Sequence, residues 1–310
     1  MSGQRGFALL AVTLVLALLS VIVTEFAFSM RLEATMVRSY REGIIGGHLA
    51  EAAVQQAIRE IVTDSQLVGL ADGVLTLYRL PDRALPRLAR ADVPLGRGTF
   101  SYRITDEEAR INLNGAPPDR VDRLLTALGV SKETRDVIND SLQDWKDPNE
   151  LRRANGAESE DYLRLPVPYR ARNANLEDVT ELLQIHGVTP ELFFGRSGEP
   201  GLAEFVTVRG AGQVNINTAS PTVLKALALS DAEISQIVQS RALRPYPAVP
   251  PQFSGRGLSI STRTFRVEAE GFVGGERVAH AVAIVQKATD AAGQPSGLVL
   301  AWNPTTPGRP

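Results

Sequence analysis

Residues 7–24 read FALLAVTLVLALLSVIVT, eighteen positions without a charge, and extension to Phe28 adds Glu25 as the only interruption. Coiled into an α-helix, residues 7–28 would be ~33 Å long, the thickness of a bilayer's hydrocarbon core. A retained, membrane-spanning helix is therefore expected. The competing reading is a secretory signal peptide, for which Ala27 and Ser29 supply small residues ahead of a cut after Ser29. Against it, the run is longer than the roughly 7 to 15 residues of an apolar signal core, and Arg5 is the only charge before it.

Beyond this run, Arg31 to Val62 keeps apolar residues at helical spacing: Ala50, Ala53, Val54, Ala57, Ile58 and Ile61 share one face. Gly43, Gly46 and Gly47 interrupt it. Each costs roughly 1 kcal/mol relative to Ala in a helix, so a bend or a mobile stretch is expected there. Strand patterns follow in GVLTLYRL and in GTFSYRIT, where Phe100, Tyr102 and Ile104 alternate with Ser101 and Arg103. Near the far end, Thr264–Val273 and Glu276–Gln286 flank Gly274-Gly275 as a hairpin, with Val278, His280, Val282 and Ile284 on one face. Between these strands the chain reads as helices. Pro245 to Gly257 reads as a linker or surface loop, and the tail after Thr289 as frayed.

The helical part contains an echo. Ile111-Asn112-Leu113-Asn114-Gly115-Ala116 recurs as Val214-Asn215-Ile216-Asn217-Thr218-Ala219, and proline (Pro118, Pro221) follows each copy at a helix start. With ELLQIHGVTPELF at 181–193, these segments resemble helix-hairpin-helix or SAM-like modules.

Composition narrows the chemistry. The 310 residues, 44% hydrophobic and 22% charged, suffice for an anchor and folded domains. Thirty-three basic against 35 acidic side chains give a net charge of -2, without the basic field of a sequence-independent nucleic-acid binder. No cysteine is present, which removes disulfides, thiolate metal sites and Cys nucleophiles. GxSxG, HExxH and GxxxxGK motifs are missing, and His48, His186 and His280 are scattered. The chain is not expected to be an enzyme. Asp106, Glu107 and Glu108 read as a strand-to-helix boundary, since carboxylates favour the positive end of a helix.

Residues 141–163, SLQDWKDPNELRRANGAESEDYL, gather Asp144, Asp147, Asn149, Glu158, Glu160 and Asp161. Hard oxygen donors on a flexible loop suit Ca2+ better than zinc or copper. The plainer alternative is a solvated acidic loop. Trp145 speaks against it, because a large aromatic there suggests a loop folded onto a core.

Several of these segments, in order, resemble one family. The polar leader MSGQRG ends in Gly6 before Phe7, as at the prepilin peptidase site of type IV pilins and pseudopilins. Together with DEEARINLN, DWKDPN, NGAE and NINTAS, it resembles the minor pseudopilin K family of type II secretion. Ala11 stands at the fifth mature position, where most pseudopilins carry Glu. A subunit lacking that Glu suits the end of a fibre, where no subunit precedes it. The resemblance implies cleavage between Gly6 and Phe7, methylation of the new amino terminus, and a single inner-membrane span with the remainder in the periplasm. It also implies a pseudopilus tip built with minor pseudopilins I and J, with H, the outer-membrane secretin and the secreted substrate as further neighbours. Calcium would bind Asp144, Asp147, Asn149 and Glu158, with Glu160 and Asp161 as further ligands; Asn149 replaces a frequent Asp.

The expected architecture is α+β. Residues 1–6 form the leader and 7–28 the transmembrane helix, while 29–105 carry the stalk helix and first strands of a pilin-like body. Residues 106–249 form an inserted all-α, SAM-like or helix-hairpin-helix-like domain, 250–289 supply closing strands, and 290–310 a flexible tail. The alternative function is a membrane-anchored, competence-type DNA receptor, suggested by the helix-hairpin-helix likeness. The net charge of -6 over Asp106–Asp161 opposes it.

Overall fold

The structure is a computed structural model that describes residues 3–196 and 198–305, with side chains from Leu9 to Pro304 apart from Ser197. Helix α1 (Gly3–Ile61) leads into β1 (Leu67–Ala71), β2 (Val74–Leu80) and β3 (Arg83–Ala84), a small antiparallel sheet. Strands β4 (Val93–Leu95) and β5 (Gly98–Asp106) follow, then β6 (Ile111–Asn112), α2 (Pro118–Ala127), α3 (Lys132–Lys146), α4 (Ser159–Leu163) and α5 (Pro190–Phe194). Next come β7 (Gly195–Arg196), β8 (Glu199–Pro200), β9 (Val206–Thr207), β10 (Val214–Asn215), α6 (Pro221–Ala226), α7 (Asp231–Leu243) and β11 (Leu258–Ser259). The chain closes with β12 (Thr264–Val273), β13 (Glu276–Thr289) and β14 (Pro295–Thr305). The main sheet has the order β14-β13-β12-β5-β4 and is antiparallel throughout. Because β5 and β12 are neighbours, paired from Phe265↔Asp106 to Val273↔Gly98, the helical region leaves and re-enters between adjacent strands. The fold is α+β.

The inner half of α1 covers this sheet. Its buried residues Leu49, Ala50, Ala53, Val54, Ala57 and Ile61 pack against alternate residues of β5, β12 and β13. On β5 these are Phe100, Tyr102 and Ile104, the residues whose alternation marks the strand in the sequence. On β13, Ala281, Ala283 and Val285 lie beneath α1, while Val282 and Ile284 belong to the opposite face. Alanines there let the helix sit close. Glu60, buried near the end of α1, accepts from Tyr102 Oη (3.1 Å) and from Arg90 Nε (3.1 Å) and Nη2 (2.5 Å), joining helix to sheet.

The glycines of α1 do not interrupt it. The helix is continuous from Gly3 to Ile61, and Gly46 lies where a Cβ would stand 2.5 Å from Val278 Cγ2. Gly271 on β12 faces the carbonyl of Gly46 just as closely. Close packing of helix on sheet, rather than flexibility, accounts for both. Gly43 and Gly47 meet nothing within 4 Å.

A second core fills the helical region and repeats the echo in three dimensions. Strands β6 and β10 each pair in parallel with a short strand, β9 and β11 respectively. In each copy the first Asn caps the turn: Asn112 Oδ1 accepts from Asn114 N and Asn215 Oδ1 from Asn217 N, both at 3.0 Å. The second Asn grips one residue of a distant loop through both its N–H and C=O. Asn114 takes Leu176 (2.9 and 2.9 Å), and Asn217 takes Tyr246 (2.7 and 3.2 Å). Hairpins with a left-handed residue then precede a capped helix or turn: Gly129 before Ser131, Gly187 before Thr189, and Ala228 before Ser230.

Two expectations need correction. The tail is not frayed through its length, because β14 pairs with β13 from Thr289↔Pro295 to His280↔Thr305, and only Thr306–Pro310 lie outside the described residues. The N–H and C=O groups along β13's outer edge need partners, and β14 supplies them. Nor is Pro245–Gly257 a loose linker. Phe253 is 1% exposed in the helical core, and β11 pairs with β10, so this core extends past 249 and the closing strands begin at Thr264.

Candidate functional site

Three places carry exposed apolar surface or buried charge. The first is the outer half of α1. It is long and apolar enough to cross a membrane, and its apolar window is wholly unburied. Leu10, Leu14, Leu18, Val21 and Phe28 all stand exposed, in contrast to the packed inner half. Thr13, Ser20 and Thr24 donate their hydroxyls to helix carbonyls at i−4, which satisfies those polar groups within the helix itself. Gly6 and Phe7 fall within this helix as backbone; their side chains lie outside the described residues, as do Met1 and Ser2.

The second is the acidic loop. Trp145, 2% exposed, meets Tyr162 and Tyr169 edge-on (ring centroids 5.3 and 6.2 Å), and the two tyrosines stack at 5.1 Å. The loop thus folds back onto the end of α3, as the tryptophan suggests. The burial of Tyr162 fits this: desolvation pushes its phenol up to about 12. Asp144 is fully buried and accepts from Arg153 Nη1 (2.6 Å) and Arg153 N (3.1 Å). The same Nη1 reaches Asp147 Oδ2 at 2.6 Å. Gly156 presses its backbone on Asp144 so closely that a Cβ would overlap the carboxylate.

The six candidate residues do not all converge. Asp144 and Asp147 share Arg153, and Asn149 donates Nδ2 to Asp147 Oδ1 at 2.6 Å. Glu158 is 2% exposed, and neither carboxylate oxygen has a hydrogen-bond partner. Burial, then the charges of Asp144, Glu150 and Asp147, push its carboxyl up to about 7. Glu160 points to solvent and pairs with Arg164, while Asp161 accepts from Glu158 N (3.0 Å) and Arg152 (3.2 Å). Glu150, itself exposed, lies near enough for its charge to act on Glu158, although the sequence pattern does not single it out; its Oε1 accepts from Ser159 and Asn173. Among the described residues, no group of three or more Asp, Glu, His or Cys side chains is gathered for metal ligation. An all-oxygen donor set with one carboxylate buried and unsatisfied is nonetheless the chemistry a hard divalent cation meets.

The third is the joint between sheet and helical domain, formed by the three acids at the end of β5. Asp106 caps a turn through Glu108 N (2.8 Å), as a helix boundary should. Its other oxygen accepts from Asn215 (2.8 Å), Thr218 (2.5 Å) and Thr262 (2.7 Å), so it fastens the second echo to the closing segment. Glu107 receives Arg266 twice (2.9 and 3.0 Å), Arg110 (2.5 Å) and Thr207 (2.7 Å), and Glu108 receives Thr264 (2.9 Å). Burial raises the Asp106 carboxyl despite its donors. For Glu107 burial acts upward too, but the hydrogen bonds and charge of Arg266, with Arg110, outweigh it and hold the carboxyl low. Sequence reading misses this joint because its partners lie up to 159 residues away.

The family described as Type II secretion system (T2SS), protein K matches residues 105–194, from the acidic joint through the acidic loop to the end of α5. Proteins called Type II secretion system protein K are similar over most of the chain. That of Pseudomonas aeruginosa is 26% identical over 307 residues, 89% of this chain and 86% of the relative. That of Pectobacterium carotovorum subsp. carotovorum is 26% identical over 263 residues, 78% and 74%. A chain in the crystal structure of the GspK-GspI-GspJ complex from the enterotoxigenic Escherichia coli Type 2 Secretion System superposes with a TM-score of 0.67. The match covers 88% of this chain and 99% of that one at 18% identity, a likeness of fold.

Proposed function

The chain belongs to the type II secretion system protein K family, and on that premise we propose that this minor pseudopilin caps and initiates the pseudopilus that supports export of folded proteins. The single observation that carries the proposal is the contrast within α1: its inner half is buried on the sheet, while its outer half offers an apolar surface with no partner among the described residues. Such a surface first suits the inner membrane and then the helices of neighbouring subunits. In this reading the helix on its sheet acts as a pilin-like body, and the helix-hairpin-helix-like domain projects from it into the periplasm.

The structural neighbour is a chain of a GspK-GspI-GspJ complex, and the same two partners are proposed for this chain. Ala11 in place of Glu fits the tip, because no preceding subunit presents an amino-terminal charge to be neutralised. Contacts with the secretin and the secreted substrate would fall to the helical domain. The work is assembly rather than catalysis, and the relatives' naming for secretion leaves the DNA-receptor alternative unsupported.

Calcium is part of the proposal. Asp144, Asp147 and Glu158 would hold the ion, with Asn149 and Glu150 beside them; Glu160, turned to solvent, is left out. The ion would supply the positive charge that Glu158 lacks and fix the loop over Trp145.

Prepilin peptidase would cut between Gly6 and Phe7, with methylation of the new amino terminus. Replacing Gly6 by Val in the producing bacterium should leave the leader attached and stop secretion. Normal secretion by the uncleaved variant would refute the proposal.

A further inference from the structure

We propose that Arg153 is a tethered counter-ion that occupies the calcium position of the acidic loop and must be displaced when the metal binds. The inference rests on the calcium reading above. It starts from one atom, Arg153 Nη1, which lies 2.6 Å from Asp144 Oδ1 and 2.6 Å from Asp147 Oδ2. A Ca2+ ion taking both oxygens at its usual distance of about 2.3–2.6 Å would stand in the gap that Nη1 fills. The guanidinium and the metal therefore exclude one another.

The surroundings make the exchange feasible. Arg153 N stays on Asp144 Oδ2 at 3.1 Å, so the loop backbone remains anchored whichever cation is present. The Arg153 side chain is 41% exposed, whereas Asp144 is completely buried. The guanidinium can swing out to water, and the carboxylate cannot. Without the guanidinium Asp144 would be a buried charge with a backbone donor but no counter-charge, which is the costly case. Its neighbours Glu158, Glu150 and Asp147 add only negative charge. Arg153 thus keeps the metal-free loop folded and sets the calcium concentration at which the loop loads. Arg152, next in the chain, serves as the internal comparison: it pairs with Asp161 at the surface and touches neither Asp144 nor Asp147.

The test is calorimetric titration of CaCl2 into the full chain in detergent, for the wild type, Arg153→Gln and Arg152→Gln. Arg153→Gln should bind calcium at least about tenfold more tightly, since a charge-assisted hydrogen bond to a buried carboxylate no longer competes. It should also melt below the wild type in EDTA and return to the wild-type Tm in saturating calcium, which separates loss of the counter-ion from misfolding. Arg152→Gln should bind as the wild type does. Unchanged or weaker binding by Arg153→Gln, or an equal gain in Arg152→Gln, would overturn the inference and leave the calcium site standing. Failure of all three chains to bind calcium would overturn the site itself.

Discussion

The carbonyl of Gly46 in α1 occupies the space in which a side chain on Gly271 of β12 would begin. Helix and sheet meet there backbone to backbone, and Ala279 and Leu49 close the contact on either side. This approach fixes how the exposed half of α1 projects from the sheet.

Gly271→Ala should therefore destabilise the chain by about 1–3 kcal/mol, the usual cost of overpacking. Gly43→Ala, three residues before Gly46 in an open position, should stabilise it by up to about 1 kcal/mol through helix propensity. Paired thermal melts in detergent check both signs. Equal, small effects would mean that the close approach is not required.

The third hairpin departs from the other two at one residue. Ala228 has φ +58°, where the equivalent turns carry Gly129 and Gly187. An L-residue in that region costs roughly 1–2 kcal/mol, and glycine's larger unfolded-state freedom returns part of it. Ala228→Gly should raise stability by up to about 1 kcal/mol, and Gly129→Ala should lower it by a similar amount, as read by denaturant midpoints.

Glu158 gives the metal-free chain a pH dependence. Its folded carboxyl lies at about 7 against an ordinary 4.5, so the folded state binds the proton more tightly than the unfolded one. Stability from this group is fully present below pH 4.5, falls as pH rises toward 7 and stays lost above. Glu158→Gln should remove that loss, gaining on the order of 3 kcal/mol at pH 8 in EDTA and nothing at pH 4. Melting curves at the two pH values decide, and calcium binding by the variant should weaken.

The Glu107–Arg266 pair behaves with the opposite sign. Held low by Arg266 and Arg110 against its burial, Glu107 contributes stability above the ordinary carboxyl range, which is lost as pH falls below it. Arg266→Leu leaves a carboxylate 1% exposed without its bidentate partner, and should cost about 3–5 kcal/mol at pH 7. The difference from wild type should shrink on acidification. Limited proteolysis at pH 7 should cut the variant between β5 and β12 faster than the wild type.

What could be read from the sequence depended on how far a residue's reason lay from it. The apolar run, described from Leu9 to Phe28, the face of Ala53 and Ala57, and the Phe100-Tyr102-Ile104 alternation follow from local sequence, and the structure buries or exposes them accordingly. The glycines of α1 mislead because propensity counts Gly46 as a weakness while its purpose lies against Val278 and Ala279 of β13. Strand β14 escapes notice since its partner edge on β13 supplies the order that its own proline- and glycine-bearing sequence does not. Counting carboxylates points to the acidic loop but passes over Arg153, which sits among them, and the roles of Asp106 and Glu107 depend on partners in the closing segment.

Membership of a pseudopilus tip is tested by co-expressing the full chain with the candidate minor pseudopilins I and J of the same bacterium and purifying on a tag carried by this chain alone. A stoichiometric three-protein complex, retained when the chain is intact and lost when residues 7–28 carry a charged substitution on their exposed apolar face, is the expected result. Elution of this chain by itself, with both partners folded and left behind, would contradict it.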